Sequence, residues 1–186
     1  EENKPLVLVF GGSQGAESIN NSIVKIIKEK KNKDYQIIWA AGPYQYKVVK
    51  EELAREKIDI ENIDGIKAVP YIYNMEEVMN IADLVVCRSG AMTVTEIEKV
   101  GKPAIFIPFP YAAENHQEYN ARTLEKAGAA KVILDKELTA DKLHGTIETI
   151  VKEEGKLTKM GEESQNLSIN NVEENIYKEI ISAIKI

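Results

Sequence analysis

A turn of three glycines, Gly11-Gly12-Ser13-Gln14-Gly15, stands between the apolar run Leu6–Phe10 and a helical pattern that begins at about Ala16. A glycine turn in that place leaves backbone N–H groups free. It also aims the positive end of a helix dipole outward, which favours an anion and above all a phosphate. Ser13 adds a hydroxyl where a phosphate oxygen would sit. The competing reading, a tight strand-to-helix turn with no ligand, uses the same glycines. The spacing is neither G-x-G-x-x-G nor G-x-x-x-x-G-K-[ST], which disfavours a dinucleotide cofactor and an ATPase. A second loop, Arg88-Ser89-Gly90-Ala91-Met92-Thr93, repeats the arrangement downstream. Two such loops in one domain suit a ligand with more than one charged or polar part.

Two further segments carry chemistry. Thr93-x-x-Glu96 reads either as a capping box, with Glu96 bonding back to the Thr93 N–H, or as a carboxylate placed to accept from a pair of ribose hydroxyls. Asn115-His116-Gln117-Glu118-Tyr119-Asn120 opens a helix with amide and imidazole groups. Planar amides both donate and accept, which suits sugar hydroxyls. His116 has no carboxylate at a spacing that would make it a base. Arg88 suits either a phosphate or a local carboxylate. Cys87 and Trp39 read as core, and His144 as a surface residue away from these loops.

The elements that must position these groups alternate along the chain. Strands are expected at Leu6–Phe10, Tyr35–Ala41, Lys67–Ile72, Asp83–Arg88, Ala104–Pro108 and Lys131–Leu134. Most are continuously apolar, the mark of parallel strands covered on both faces. Helical patterns fall at about Ala16–Lys31, Tyr44–Lys57, Met75–Ala82, Val94–Val100 and His116–Ala127. This order predicts an α/β, Rossmann-like doubly wound fold with a parallel sheet of about six strands and helices on both faces. After Leu134 come helices only: Thr139 or Ala140 to Glu154 with Thr139 as a candidate N-cap, then Leu157–Leu167, then Ile169–Ile184. The last carries Ile169, Val172, Ile176, Ile180 and Ile184 along one face. In open parallel sheets, ligands bind beyond the carboxyl ends of the strands. The glycine turn, Tyr71–Asn74, Ser89–Thr93 and Phe109–Gln117 all follow strands, so all four converge on that one edge.

Bulk properties narrow the class. A chain of 186 residues that is 44% apolar suits one ordinary domain. No apolar run reaches the roughly 18 residues of a membrane span, and no signal peptide pattern precedes the first strand. The net charge of −6 argues against general nucleic-acid affinity. One cysteine permits no internal disulfide and fits a cytoplasmic setting, and two distant histidines make no zinc site. No metal and no cofactor is expected.

Taken together, Gly11-Gly12-Ser13-Gln14-Gly15-Ala16, Cys87-Arg88-Ser89-Gly90-Ala91-Met92-Thr93-Val94-Thr95-Glu96 and Asn115-His116-Gln117 with Asn120-Ala121 closely resemble the MurG family. These are bacterial UDP-N-acetylglucosamine transferases of peptidoglycan synthesis. Gly101-Lys102-Pro103-Ala104, Pro108-Phe109 and Leu124–Ala130 agree with it as well. The resemblance implies a GT-B glycosyltransferase, of which this chain is the C-terminal, donor-binding half, a single domain over residues 1–186 with its closing helices from about 139. The acceptor-binding N-terminal half would be absent. Ser13 and Gln14 would then meet a phosphate, Ile72 the uracil edge through its backbone, and Ala91, Met92 and Thr93 the pyrophosphate. Glu96 would hold the ribose diol. His116 and Gln117, with Asn120, would read N-acetylglucosamine. The implied partners are UDP-N-acetylglucosamine and, through the other half, a lipid-linked acceptor, with no nucleic acid and no membrane contact from this half. No catalytic residue is assigned to it. The whole enzyme would lie peripherally on the inner face of the cell membrane. Alternatives are a separate nucleotide-sugar-binding subunit that works with a membrane-bound partner chain, and half of a sugar-nucleotide epimerase, which should carry more acid/base residues. The stripe on the last helix would lose its partner in a lone half, and fold over its own domain or pair with another copy.

Overall fold

Strands that are apolar on both faces force helices to cover a sheet from two sides, and the first strand shows why. In β1 (Leu6–Phe10), Val7, Leu8 and Val9 have no exposed surface, so successive side chains enter two different cores. The computed structural model describes residues 4–169 and 172–184, the latter stretch by backbone alone as far as 175. The chain runs β1, α1 (Glu17–Lys28), β2 (Gln36–Ala40), α2 (Pro43–Arg55), β3 (Ile66–Val69), α3 (Met75–Ile81), β4 (Leu84–Cys87), α4 (Ala91–Val100), β5 (Ala104–Phe106), α5 (His116–Lys126), β6 (Ala130–Val132), α6 (Ala140–Lys152), α7 (Lys156–Leu167) and α8 (Val172–Ile184). Single 3₁₀ turns at Ala113–Asn115 and Asp135–Glu137, which the sequence pattern does not announce, precede α5 and α6.

The six strands are parallel, in the order β3-β2-β1-β4-β5-β6. One core joins Val7, Val9, Ile37, Trp39 and Val86 to apolar residues of α1, α2 and α6, among them Ile19, Ile23, Leu53, Leu143 and Ile147. The other joins Leu8, Phe10, Val85, Cys87 and Phe106 to Met79 of α3, Val94 and Ile97 of α4, and Ala121 and Leu124 of α5. The strand order reverses direction between β1 and β4. That switch point is where the crossing connections diverge and leave a crevice.

Several boundaries differ from expectation for local reasons. β3 stops at Val69 rather than reaching Ile72, because Pro70 has no N–H to give a sheet ladder. α4 starts at Ala91, three residues earlier than expected, with Gly90 as its N-cap, and ends at Gly101 in the left-handed conformation. Thr139 is the N-cap of α6, its hydroxyl accepting from the Lys142 N–H at 3.1 Å. His144 is not a surface residue: it is only 17% exposed, 3.0 Å from the Tyr35 hydroxyl through Nδ1 and 3.2 Å from Glu148 through Nε2. Tyr35 is fully buried, its hydroxyl needs a partner, and burial pushes its pKa up. The closing helix is described from Val172 rather than Ile169; on it Ile176, Ile180 and Ile184 are exposed, as is Ile169 ahead of it, while the Val172 side chain lies outside the described residues.

Candidate functional site

The glycine turn is held from behind. Gly12 and Gly15 adopt φ of 89° and 81°, and the Gly15 N–H closes the turn on the Gly12 carbonyl at 3.0 Å. A Cβ on Gly15 would stand 2.1 Å from the Ala41 carbonyl oxygen, and one on Gly42 would stand 2.5 Å from that of Gln14. The turn is therefore wedged against the β2–α2 junction with no room for a side chain. That junction is itself anchored: the buried Asn20 amide donates to the Ala41 carbonyl at 2.9 Å and accepts from the Trp39 indole N–H at 2.9 Å.

Beyond the turn, α1 and α4 present bare N-termini. No side chain caps either: Ala16 and Gly90 are the N-caps. The first helical bonds are from Asn20 to Ala16 and from Val94 to Gly90, which leaves the first-turn N–H groups of both helices to a ligand or solvent. Both ends border one hollow of about 580 Å³ at the β1/β4 switch, a size within the usual range for small-ligand sites. Gly11, Gly12, Gly15, Gly90, Thr93 and Gln117 line it, and Phe109, Pro110 and Tyr111 form its far wall.

The loop after β5 is stitched to the loop after β4. The Ser89 hydroxyl donates to the Gln117 carbonyl at 2.7 Å, and the Asn120 amide donates to the Ser89 carbonyl at 3.2 Å. The Gln117 side-chain oxygen accepts from the Phe109 N–H at 3.0 Å, so its amide nitrogen keeps its donors. Glu114 and Asn115 occupy the left-handed region in succession, at φ of 50° and 54°. Asn115 is steadied there by a hydrogen bond that its side-chain amide donates to the Glu118 carboxylate at 2.8 Å, which helps hold the Glu118 carboxyl below its usual range.

The expected residues fall into two groups on one edge of the sheet. Thr93 and Gln117 line the hollow, beside the backbone of the glycine turn. Ser13 and Gln14 are exposed at the tip of that turn. Ala91 and Met92 form the exposed first turn of α4 between two depressions. Glu96 borders the second depression, about 300 Å³, between α3 and α4, with Met75, Met79 and Lys99. The capping-box reading of Glu96 does not hold: the N-cap is Gly90, so Glu96 lies in the second turn of α4, exposed. Ile72 buries its side chain beside the α3 core, is 7% exposed, and lines neither depression. His116 is not brought into the hollow; its ring turns back to the Ala113 carbonyl at 2.8 Å. Asn120 gives one amide donor to the Ser89 carbonyl.

Sequence reasoning passed over Ser18, Asn21 and Asp135, which also line the hollow. Ser18 and Asn21 lie three apart in α1, next to the turn, so helical spacing counted from the glycines would have found them. Asp135 follows β6 at the same edge of the sheet. Arg88 is settled in favour of a carboxylate, bonding Asp135 at 2.6 Å.

Residues 6–176 match the profile of the glycosyltransferase family 28 C-terminal domain. The chain belongs to this glycosyltransferase family. Among curated relatives, the UDP-N-acetylglucosamine--N-acetylmuramyl-(pentapeptide) pyrophosphoryl-undecaprenol N-acetylglucosamine transferase of Thermoanaerobacter sp. is 46% identical over 97% of this chain and 49% of its own length. The enzyme of the same name from Acetivibrio thermocellus is 42% identical over 99% of this chain and 49% of its own length. The chain thus spans about half the length of the curated relatives it matches. Among solved structures, the MurG of Acinetobacter baumannii superimposes with a TM-score of 0.83 at 28% identity, over 97% of this chain and 53% of that one. The family 28 domain has the fold and family anticipated from its motifs; a UDP-GlcNAc 2-epimerase from Neisseria meningitidis shares the fold, with a TM-score of 0.64 at 13% identity over 98% of this chain and 45% of that one, while the family match is to glycosyltransferases.

Proposed function

We propose that this domain binds UDP-N-acetylglucosamine as the donor half of an inverting transferase acting on undecaprenyl-pyrophosphoryl-N-acetylmuramyl-pentapeptide. The observation that carries the reading is the meeting of two uncapped helix N-termini and a glycine turn around one hollow at the β1/β4 switch. A diphosphate is the group such a place suits best. The names of the 46% and 42% identical relatives supply the sugar, the nucleotide and the acceptor.

In this reading the pyrophosphate lies across Ser13, Gln14 and the N–H groups of Ala91, Met92 and Thr93. Uridine extends over α4 toward the second depression, where the Ile72 backbone meets uracil and Glu96 accepts from the ribose hydroxyls. N-acetylglucosamine points to Gln117, with His116 at the rim. The acceptor hydroxyl attacks C1 of the sugar, the C1–O bond to phosphate breaks, and UDP departs. The proton goes to a base outside this chain. The domain's own contribution is electrostatic, because fixed N–H groups meet the charge that grows on the departing diphosphate. The acceptor is bound by another half, and the whole enzyme sits on the inner face of the membrane. Among the described residues no helix is long and apolar enough to cross a bilayer.

Calorimetric titration with UDP-N-acetylglucosamine, UDP-glucose and ADP-glucose tests the proposal. Binding of the first in clear preference to the other two is expected. Equal binding of ADP-glucose would overturn the uridine assignment, and transfer to lipid acceptor by this chain alone would overturn the division of labour.

A further inference from the structure

Arg88 is the most heavily bonded side chain at the site, and every partner it has is internal. Its Nη1 reaches the Ile107 and Pro108 carbonyls, each at 3.0 Å, and Asp135 Oδ1 at 2.6 Å. Nη2 donates to the Ser18 hydroxyl at 3.1 Å, and that hydroxyl donates to the same Asp135 oxygen at 2.7 Å. The guanidinium carbon lies 5.6 Å from the centre of the Phe109 ring. Arg88 and Asp135 are 15% and 21% exposed. Although Arg88 borders the hollow, its charge is met by Asp135, and its Nη1 and one Nη2 donor are engaged within the protein, so a phosphate would have to compete with a carboxylate for its charge.

The partners belong to the two sides of the hollow. Ser18 sits in the first turn of α1, next to the glycine turn. Ile107 and Pro108 lead into Phe109, whose N–H holds the side-chain oxygen of Gln117 at 3.0 Å. Asp135 brings in the 3₁₀ turn after β6. One planar cation therefore fixes how far the glycine turn stands from the Gln117 wall. We infer that Arg88 is a positioning residue for the sugar end of the bound nucleotide: it holds the 107–117 loop and α1 at the separation that lets Gln117 face the sugar, without touching the ligand. The inference rests on the sugar-nucleotide reading above. Lysine keeps the charge but offers no planar fork to hold two carbonyls and a hydroxyl at once.

The test uses the full chain with Arg88→Lys and, separately, Ser18→Ala, which keeps Arg88 and its bonds to Ile107, Pro108 and Asp135 but removes the hydroxyl that ties α1 to Arg88 and Asp135. UDP and UDP-N-acetylglucosamine are titrated against each, and hydrogen exchange is followed across residues 107–117 without ligand. In R88K the affinity ratio of UDP-N-acetylglucosamine to UDP falls about tenfold, the loss of roughly one charge-assisted hydrogen bond, and exchange in the loop rises. S18A moves the ratio the same way by less. An equal fall for both ligands in R88K, as a direct phosphate contact gives, overturns the inference. So does an unchanged ratio in both variants, or a loop that stays protected in R88K. Failure of the unsubstituted chain to bind either ligand sinks the nucleotide-sugar reading instead, while loop exchange in R88K still judges the role of Arg88 in holding the loop.

Discussion

Alanine at Gly15 is expected to damage stability and ligand binding together, whereas alanine at Gly90 should separate the two. Gly15 has φ of 81°, and an added Cβ would lie 2.1 Å from the Ala41 carbonyl oxygen. The left-handed backbone costs a non-glycine residue about 1–2 kcal/mol, and forcing an atom into packed surroundings costs about 1–3 kcal/mol more. At about 2–4 °C per kcal/mol for a domain of this size, their sum of about 2–5 kcal/mol lowers the melting temperature of G15A by about 4–20 °C. Gly12 has φ of 89° but nothing within 4 Å of its absent Cβ, so G12A bears only the backbone cost, about 2–8 °C. Gly90 has φ of −63° and open space, so G90A escapes both costs; alanine restricts the unfolded chain but is a poorer N-cap than glycine, and the variant should melt close to the parent. Yet Gly90 borders the hollow beside the bare N–H groups of α4, and its methyl would stand in the way of a diphosphate. Thermal melts with UDP titrations decide the matter. If G15A melts like the parent, or G90A loses as much stability as G15A, the account of the turn is wrong. If G90A binds UDP unchanged, the hollow does not hold the diphosphate.

Three further outcomes follow from the same geometry. Replacing Glu96 with alanine should weaken UDP binding by about 10–100-fold, the range for losing hydrogen bonds to a charged group, and weaken 2′-deoxy-UDP, which keeps only the 3′-hydroxyl for Glu96, by distinctly less; equal losses for both nucleotides would remove Glu96 from the ribose diol. Asn20→Ala leaves the buried Trp39 N–H and Ala41 carbonyl unpaired, at a cost of about 1–3 kcal/mol, and should lower the melting temperature with a change in tryptophan emission; a melt and spectrum like the parent's would refute it. Asp34, Asp59, Glu118, Glu137 and Asp141 are all held below their ordinary values of 3.8 or 4.5, the first four by hydrogen bonds from Lys152, Asn62, Asn115 and Lys142, the last by Lys31. Folded values below unfolded ones mean stability that is complete above the unfolded value and lost as pH falls through the folded one. Acid titration of the melting temperature should therefore show a decline below about pH 4.5 and no matching loss between pH 6 and 8.

What could be read from the chain and what could not divide along a physical line. The two glycine loops and the edge on which they meet were legible because backbone does the work there, although α4 starts three residues earlier than its apolar pattern suggests: glycine placement, apolar runs and the order of strands are local patterns, and the doubly wound topology converts them into one location. What local spacing does not reveal is a side chain held by a distant partner. Asn120 gives one amide donor to Ser89, 31 residues earlier in the chain, and His144 reads as surface but meets Tyr35, 109 residues away. Arg88 and Asp135 are 47 residues apart, and no spacing rule joins them. In the proposed reading, the pairing of Arg88 with Asp135 lets an acidic domain keep a cationic side chain beside the diphosphate without relying on its charge. Attraction for the diphosphate would then come from N–H groups fixed by glycines and helix starts, which cannot be neutralised by a neighbouring carboxylate as a guanidinium can. The charged pair is left free to set distances. On that argument recognition of the nucleotide should survive changes in Arg88 that spoil recognition of the sugar, because the two rest on different parts of the same chain.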